Sequence, residues 1–157
     1  AVSFVYRGFV WLLSAPSGTG KTTQYLNWLR LFPEEIKMIS GDMPVLERKE
    51  DGRIFVHPSS WNGKENIGNK ISGPLGGLIY LEQSDVNAMD VLGARDGVSL
   101  LMRQFMAVPD NEQEIRALFR ILDSLFRFYP VWVYHNRGND DSTVLLRNQI
   151  DVFLEGK

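Results

Sequence analysis

The chain of 157 residues contains no cysteine and only two histidines, His57 and His135. The first absence excludes disulfides, thiol catalysis and cysteine-ligated zinc, and the second excludes a histidine-rich metal site. An excess of one charge sign is also lacking, since 17 basic and 19 acidic residues are interspersed and leave a net charge of −2. No broad basic field therefore exists to attract nucleic acid or an anionic membrane. No apolar run approaches the roughly 20 residues that span a bilayer, and no signal peptide is present, so the cytoplasm is the expected location. What the chain does have is 44% apolar and 23% charged residues, the composition of a globular domain with a sizeable core. The length corresponds to a single domain, residues 1–157. Residues 1–5 (AVSFV) already read as a strand and residue 1 is not methionine, so further sequence is expected upstream.

Residues 14–23 (SAPSGTGKTT) place a glycine-rich turn, a lysine and two threonines between an apolar strand at 9–13 (FVWLL) and a helix at 22–32 (TTQYLNWLRLF) that Pro33 stops. This is the pattern of a phosphate-binding loop (P-loop, Walker A), in which backbone N–H groups and the positive helix N-terminus converge on an anion. Pro16, Ser17, Gly18, Thr19, Gly20, Lys21, Thr22 and Thr23 form the expected nucleotide-binding set. Lys21 is expected to reach the terminal phosphates of ATP or a related nucleotide, and Thr22 to place its hydroxyl on Mg²⁺. Where the general pattern has its first glycine, this chain has Ala15.

Elsewhere the first half alternates strands and turns. Residues 37–40 (KMIS) read as a strand, 45–48 and 53–57 as a hairpin across Glu50, Asp51 and Gly52, 58–74 as a long polar loop, and 75–82 (LGGLIYLE) as a buried strand. Apolar residues at three- and four-residue steps predict helices over 96–106 and 111–128, with Asn111 and Glu114 as a capping box. A strand at 131–135 and a last helix, capped by Asp141 and running to about residue 154, complete the chain. The expected fold is a three-layer α/β domain with a mixed sheet.

Asp42, just beyond the third strand, is positioned to hold Mg²⁺ directly or through water. In the loop at 59–65 (SSWNGKE), Lys64 can pair with a phosphate and Glu65 can take a proton from an acceptor hydroxyl, which makes Lys21, Asp42, Lys64 and Glu65 the candidate catalytic set. Arg103, Arg137, His57 and His135 are secondary candidates, while Trp11, Trp28 and Trp132 read as core.

Taken in order, SAPSGTGKTT, ISGDMP, SSWNGKE, ISGPLGG and the late strand closing with His135 and Asn136 resemble HPr kinase/phosphorylase and its relatives, whose P-loop domain is shared with phosphoenolpyruvate carboxykinase. The resemblance spans nearly the whole chain. It implies an ATP- and Mg²⁺-dependent kinase acting on a hydroxyl of a protein or peptide, with Thr22 and Asp42 serving the metal. Members of the family associate into hexamers, so a homo-oligomer is compatible with the resemblance. The family carries two adjacent aspartates where this chain has Gly41 and Asp42, so the resemblance assigns Asp42 to the metal and leaves glycine at the position of the general base. The alternative reading is accordingly a nucleotide-binding protein with weakened catalysis, and Glu65 is the candidate relocated base. A third reading, a nucleoside monophosphate kinase, shares APSG followed by GK but lacks that family's arginine-rich segment after the first helix.

Overall fold

The computed structural model describes residues 1–40, 43–59, 71–104 and 109–157. Those residues hold eight strands and four helices of a mixed α/β domain. In chain order they are β1 (Val2–Tyr6), β2 (Phe9–Ser14), α1 (Lys21–Leu31), β3 (Lys37–Ser40), β4 (Val45–Arg48), β5 (Ile54–His57), β6 (Gly73–Gln83), β7 (Ala88–Val91), α2 (Ala94–Met102), α3 (Glu112–Phe128), β8 (Val131–Asn136) and α4 (Asp140–Glu155). The sheet is mixed. β6 runs parallel to β2 on one side and to β8 on the other, whereas β1, β3, β5 and β7 join through antiparallel pairs.

β2, β6 and β8 are nearly continuous apolar runs because both faces of the sheet are covered. Side chains alternate between those faces. Trp11, Leu13, Ile79, Leu81, Trp132 and Tyr134 pack with residues of α1 and α4, including Trp28 and Leu146. Val10, Leu12, Leu78, Tyr80 and Val131 pack instead with Leu101 of α2 and with Leu122 and Leu125 of α3. The three tryptophans expected in the core are there: Trp11 and Trp132 stack with ring centroids 5.9 Å apart, and Trp28 meets Phe4 and Tyr6. The glycine pair in β6 follows from this packing, since a Cβ at Gly76 would lie 2.7 Å from the Trp11 ring and one at Gly77 would lie 2.9 Å from it.

From β2 the chain crosses through α1 to β3, beyond β1, on one face; from β6 it crosses through α2 and α3 to β8 on the other. The connections leave β2 and β6 in opposite directions, so the carboxyl ends of these neighbouring strands border a topological switch point, where open α/β sheets bind ligands.

One strand is added to those expected, and two local expectations are revised. Residues 88–91 form the short edge strand β7, which pairs only with β8 among the described residues. β6 begins at Gly73, because its first residues pair with β5 rather than belonging to the loop. Finally, α4 is capped by Asn139, whose side chain accepts from Ser142 N, and Asp141 lies inside its first turn.

Candidate functional site

Residues 15–20 connect the carboxyl end of β2 to the first residue of α1, Lys21. The connection is a tight turn in which the backbone N–H and the hydroxyl of Thr19 both donate to the Pro16 carbonyl, at 3.3 and 2.8 Å. Gly18 and Gly20 have φ of +81° and +105°, backbone that L-residues rarely adopt, and a Cβ on either would face open space. Ala15 does not share that conformation, because the described non-glycine residues with positive φ are Arg7 and Glu34 alone. Its methyl is buried in the α1/α4 core instead. The glycine of the general pattern is therefore not required at this position.

The N-terminus of α1 differs from those of the other described helices. α3 and α4 have asparagine caps and acidic residues in their first turns, and α2 has Asp96. α1 has neither a side-chain cap nor an acid in its first turn, and it opens on Lys21. The usual internal compensation for the positive end of a helix is missing there. The Lys21 ammonium donates to the carbonyls of Ala15 at 2.7 Å and Pro16 at 3.1 Å, so it lies across the start of the loop.

A cavity opens on each flank of the loop. On the α2/α3 side a crevice of about 520 Å³ runs from Ala15, Pro16, Ser17 and Lys21 to a wall of Leu12, Leu78, Leu101 and Leu125, with Arg103 from the end of α2 at its edge. On the α1 side a cavity of about 330 Å³ lies between the other half of the loop, Gly18 to Gly20, and the carboxyl ends of β6 and β8.

The second cavity rests on a buried polar ladder. Gln24 donates through Nε2 to Thr143 Oγ1 at 2.7 Å and accepts at Oε1 from Asn136 Nδ2 at 2.9 Å. The Asn136 side-chain oxygen in turn accepts from Gly138 N at 2.5 Å. Asn87 fixes the same corner by accepting from Arg137 N and donating to Asn139, each at 2.9 Å. Gln83, at the tip of β6, donates to the Thr19 carbonyl at 3.4 Å and so links the strand to the loop.

On the other face of the β6–β8 edge, His135 Nε2 lies 2.9 Å from Asp90 and Nδ1 lies 3.6 Å from Glu82. The neighbouring Tyr80 hydroxyl is pushed above its ordinary value by burial first and by the Glu82 charge second, against the lowering effect of Arg103. His57 holds the β4–β5 hairpin to its flank through Ser72 at 2.8 Å and Glu47 at 2.7 Å. Lys49, and secondarily His57, keep the Glu47 carboxyl below the ordinary carboxylate range.

Of the residues expected at the site, Pro16 to Thr23 stand together in the loop and the first turn of α1, while Asp42, Trp61, Lys64 and Glu65 lie outside the described residues. Sequence reasoning missed Gln24, Gln83 and Asn136. A signal for Gln24 was available, because a polar residue stands four positions before Trp28 and beside Tyr25, on the helix face that packs against the sheet. Among the described residues no helix is long and apolar enough to cross a membrane, and no group of three or more His, Asp or Glu side chains is placed to hold a metal ion. No protein-family model and no curated protein matches this chain.

Proposed function

We propose that this protein is an ATP- and Mg²⁺-dependent phosphotransferase of the HPr-kinase-like P-loop group, passing a phosphoryl group to a hydroxyl of a protein or peptide. The observation that carries the reading is the start of α1, an uncapped N-terminus opening on Lys21 beside two positive-φ glycines whose outer side is open. Backbone donors left without a side-chain cap, a helix dipole with no acid in the helix's own first turn and a nearby ammonium together suit a phosphate chain. In binding it, Lys21 exchanges the Ala15 and Pro16 carbonyls for terminal phosphate oxygens, so its present contacts keep it within reach of that end. Thr22, in the first turn, and Asp42 would hold the metal together with the phosphates. When bound, ATP and Mg²⁺ supply a transferable phosphoryl group whose charge is partly neutralised. The 520 Å³ crevice beyond Lys21 then receives the acceptor, with its leucine wall excluding water and Arg103 adding positive charge at the rim.

The binding-only alternative turns on the proton acceptor, since no carboxylate of the described residues lines that crevice. A proton acceptor for the incoming hydroxyl must then come from Asp42, Glu65 or solvent. A single pair of measurements separates the readings. Wild-type protein with Mg²⁺ and ATP at ~100-fold excess over Kd should gain about 2.7 kcal/mol of stability. Transfer to a serine-containing acceptor should fall by at least about 10²-fold in Lys21→Ala. A nucleotide-dependent stability gain without transfer by wild type supports the binding-only alternative. No nucleotide-dependent gain at all removes both.

A further inference from the structure

We infer that a cavity of about 810 Å³ at the end of the sheet remote from the glycine loop is a second ligand site, one that takes a small organic anion with an aromatic body. The site stands independently of the phosphotransferase reading.

Phe9 opens β2, and Pro74 and Leu75 lie at the start of β6, so the cavity sits at the amino ends of the two parallel strands whose carboxyl ends border the loop. The six residues of β2 keep the two places roughly 17–20 Å apart. The remaining walls are the turn of the β4–β5 hairpin and the end of α3. A volume of about 810 Å³ falls among those of small-molecule pockets.

The lining divides into an apolar floor and a cationic rim. Ile54 and Leu75 are buried beneath the cavity, Phe9 and Phe55 are partly buried, and the large Phe128 ring is 53% exposed. The Lys49 ammonium lies 5.3 Å from the centroid of the Phe55 ring and that of Lys157 lies 5.3 Å from the centroid of Phe9, so positive charge stands over aromatic faces. With Arg53 these make three cations against one carboxylate, Asp51, among the lining side chains, although the chain as a whole carries a net charge of −2. An aromatic ring bearing an acid group meets both parts of this lining. A cation would be repelled by it, and a purely apolar ligand would leave its charges unused. The present partners of the rim are Glu47, 2.8 Å from Lys49, and Asp51, 3.7 Å from Arg53. Both pairs join exposed side chains and are weak enough to be exchanged for a ligand. The Tyr129 hydroxyl accepts from Ile54 N at 2.7 Å, which leaves its proton to donate.

The walls are fixed before a ligand arrives. Arg48 Nε donates to Ser124 Oγ at 2.9 Å, and together with the Ile54–Tyr129 bond this ties the hairpin to α3 and to the residue after it. Gly52, at φ +86°, lets the turn close on Phe128, whose ring a Cβ there would approach to 3.1 Å.

The test is an NMR titration with 2-naphthoate, with its uncharged amide 2-naphthamide and with acetate, on wild type, Phe128→Ala and the double variant Lys49→Gln/Arg53→Gln. Wild type should bind 2-naphthoate at least about 10-fold more tightly than 2-naphthamide, and more tightly still than acetate. The shifts should centre on the amides of residues 52–55 and 129. The double variant should bring the naphthoate-to-naphthamide ratio toward unity, whereas Phe128→Ala should weaken both ligands about equally. The proposal is overturned if neither naphthalene ligand saturates, if wild type does not distinguish the two, if the shifts centre elsewhere, or if the double variant keeps the full ratio. Concentration-dependent line broadening without ligand, abolished by Phe128→Ala, would instead assign the aromatic rim to contact between copies of the chain.

Discussion

The two flanks of the glycine loop are built by different forces. On the α1 side, Gln24, Thr143, Asn136, Asn87 and Asn139 are joined by directional hydrogen bonds, each needing a particular donor and acceptor at a particular place. On the α2/α3 side, Leu12, Leu78, Leu101 and Leu125 form a wall by contact alone. Hydrogen-bond geometry tolerates little change, whereas apolar packing tolerates changes of shape that conserve volume. The polar flank is therefore the less tolerant of substitution, and the apolar flank the more tolerant.

Substitution on the two flanks should expose this difference. The largest effect is expected at Leu125, which is fully buried. Leu125→Ala should cost about 2–5 kcal/mol in urea unfolding and Leu125→Met under about 1.5 kcal/mol, since only the first leaves a void. If the methionine variant costs as much as alanine, the wall is not adaptable and the contrast is lost. Gln24 comes next. Gln24→Ala strands the Thr143 hydroxyl and the Asn136 amide and should cost about 1–3 kcal/mol. Here, in contrast to Leu125, the isosteric Gln24→Glu should give no relief, because it removes the Nε2 donor to Thr143 and puts a carboxylate in a buried position between two uncharged partners. A glutamate variant as stable as wild type would show that the ladder does not depend on direction. The smallest effect is expected at Asn139, whose side chain accepts from Ser142 N and from Asn87. Asn139→Ala should lower stability by about 1 kcal/mol. Should it leave hydrogen exchange at the start of α4 unchanged, that corner is held by other contacts.

Most of the elements were legible in the sequence because their signals are local. The strand at 37–40 and the hairpin arm at 45–48 have the bounds expected of them, and Asn111 caps α3 by accepting from Glu114 N. The other half of the expected capping box is shifted: Glu114 accepts from Asp110 N instead of Asn111 N. Two kinds of feature were not legible. β7 is four residues long, half exposed and without strong alternation, and it becomes a strand because β8 offers a partner. Asp141 was the expected cap of α4, and the cap is Asn139 instead because its side chain reaches both Ser142 N and Asn87.

By itself the sequence determined the glycine loop, the apolar strand before it and the helix after it, because spacing within one segment sets backbone conformation there. Only the tertiary structure decided what faces the loop. Gln24 meets Thr143 across 119 residues and Asn136 across 112, and such pairings follow from strand order and from the faces the crossovers take. Those choices are set by burial summed over the whole core, to which no short segment has access. Hence one continuous stretch of sequence could raise the expectation of a phosphate site, while the division of the loop's surroundings into a polar flank and an apolar one appeared only once β2, β6 and β8 lay side by side.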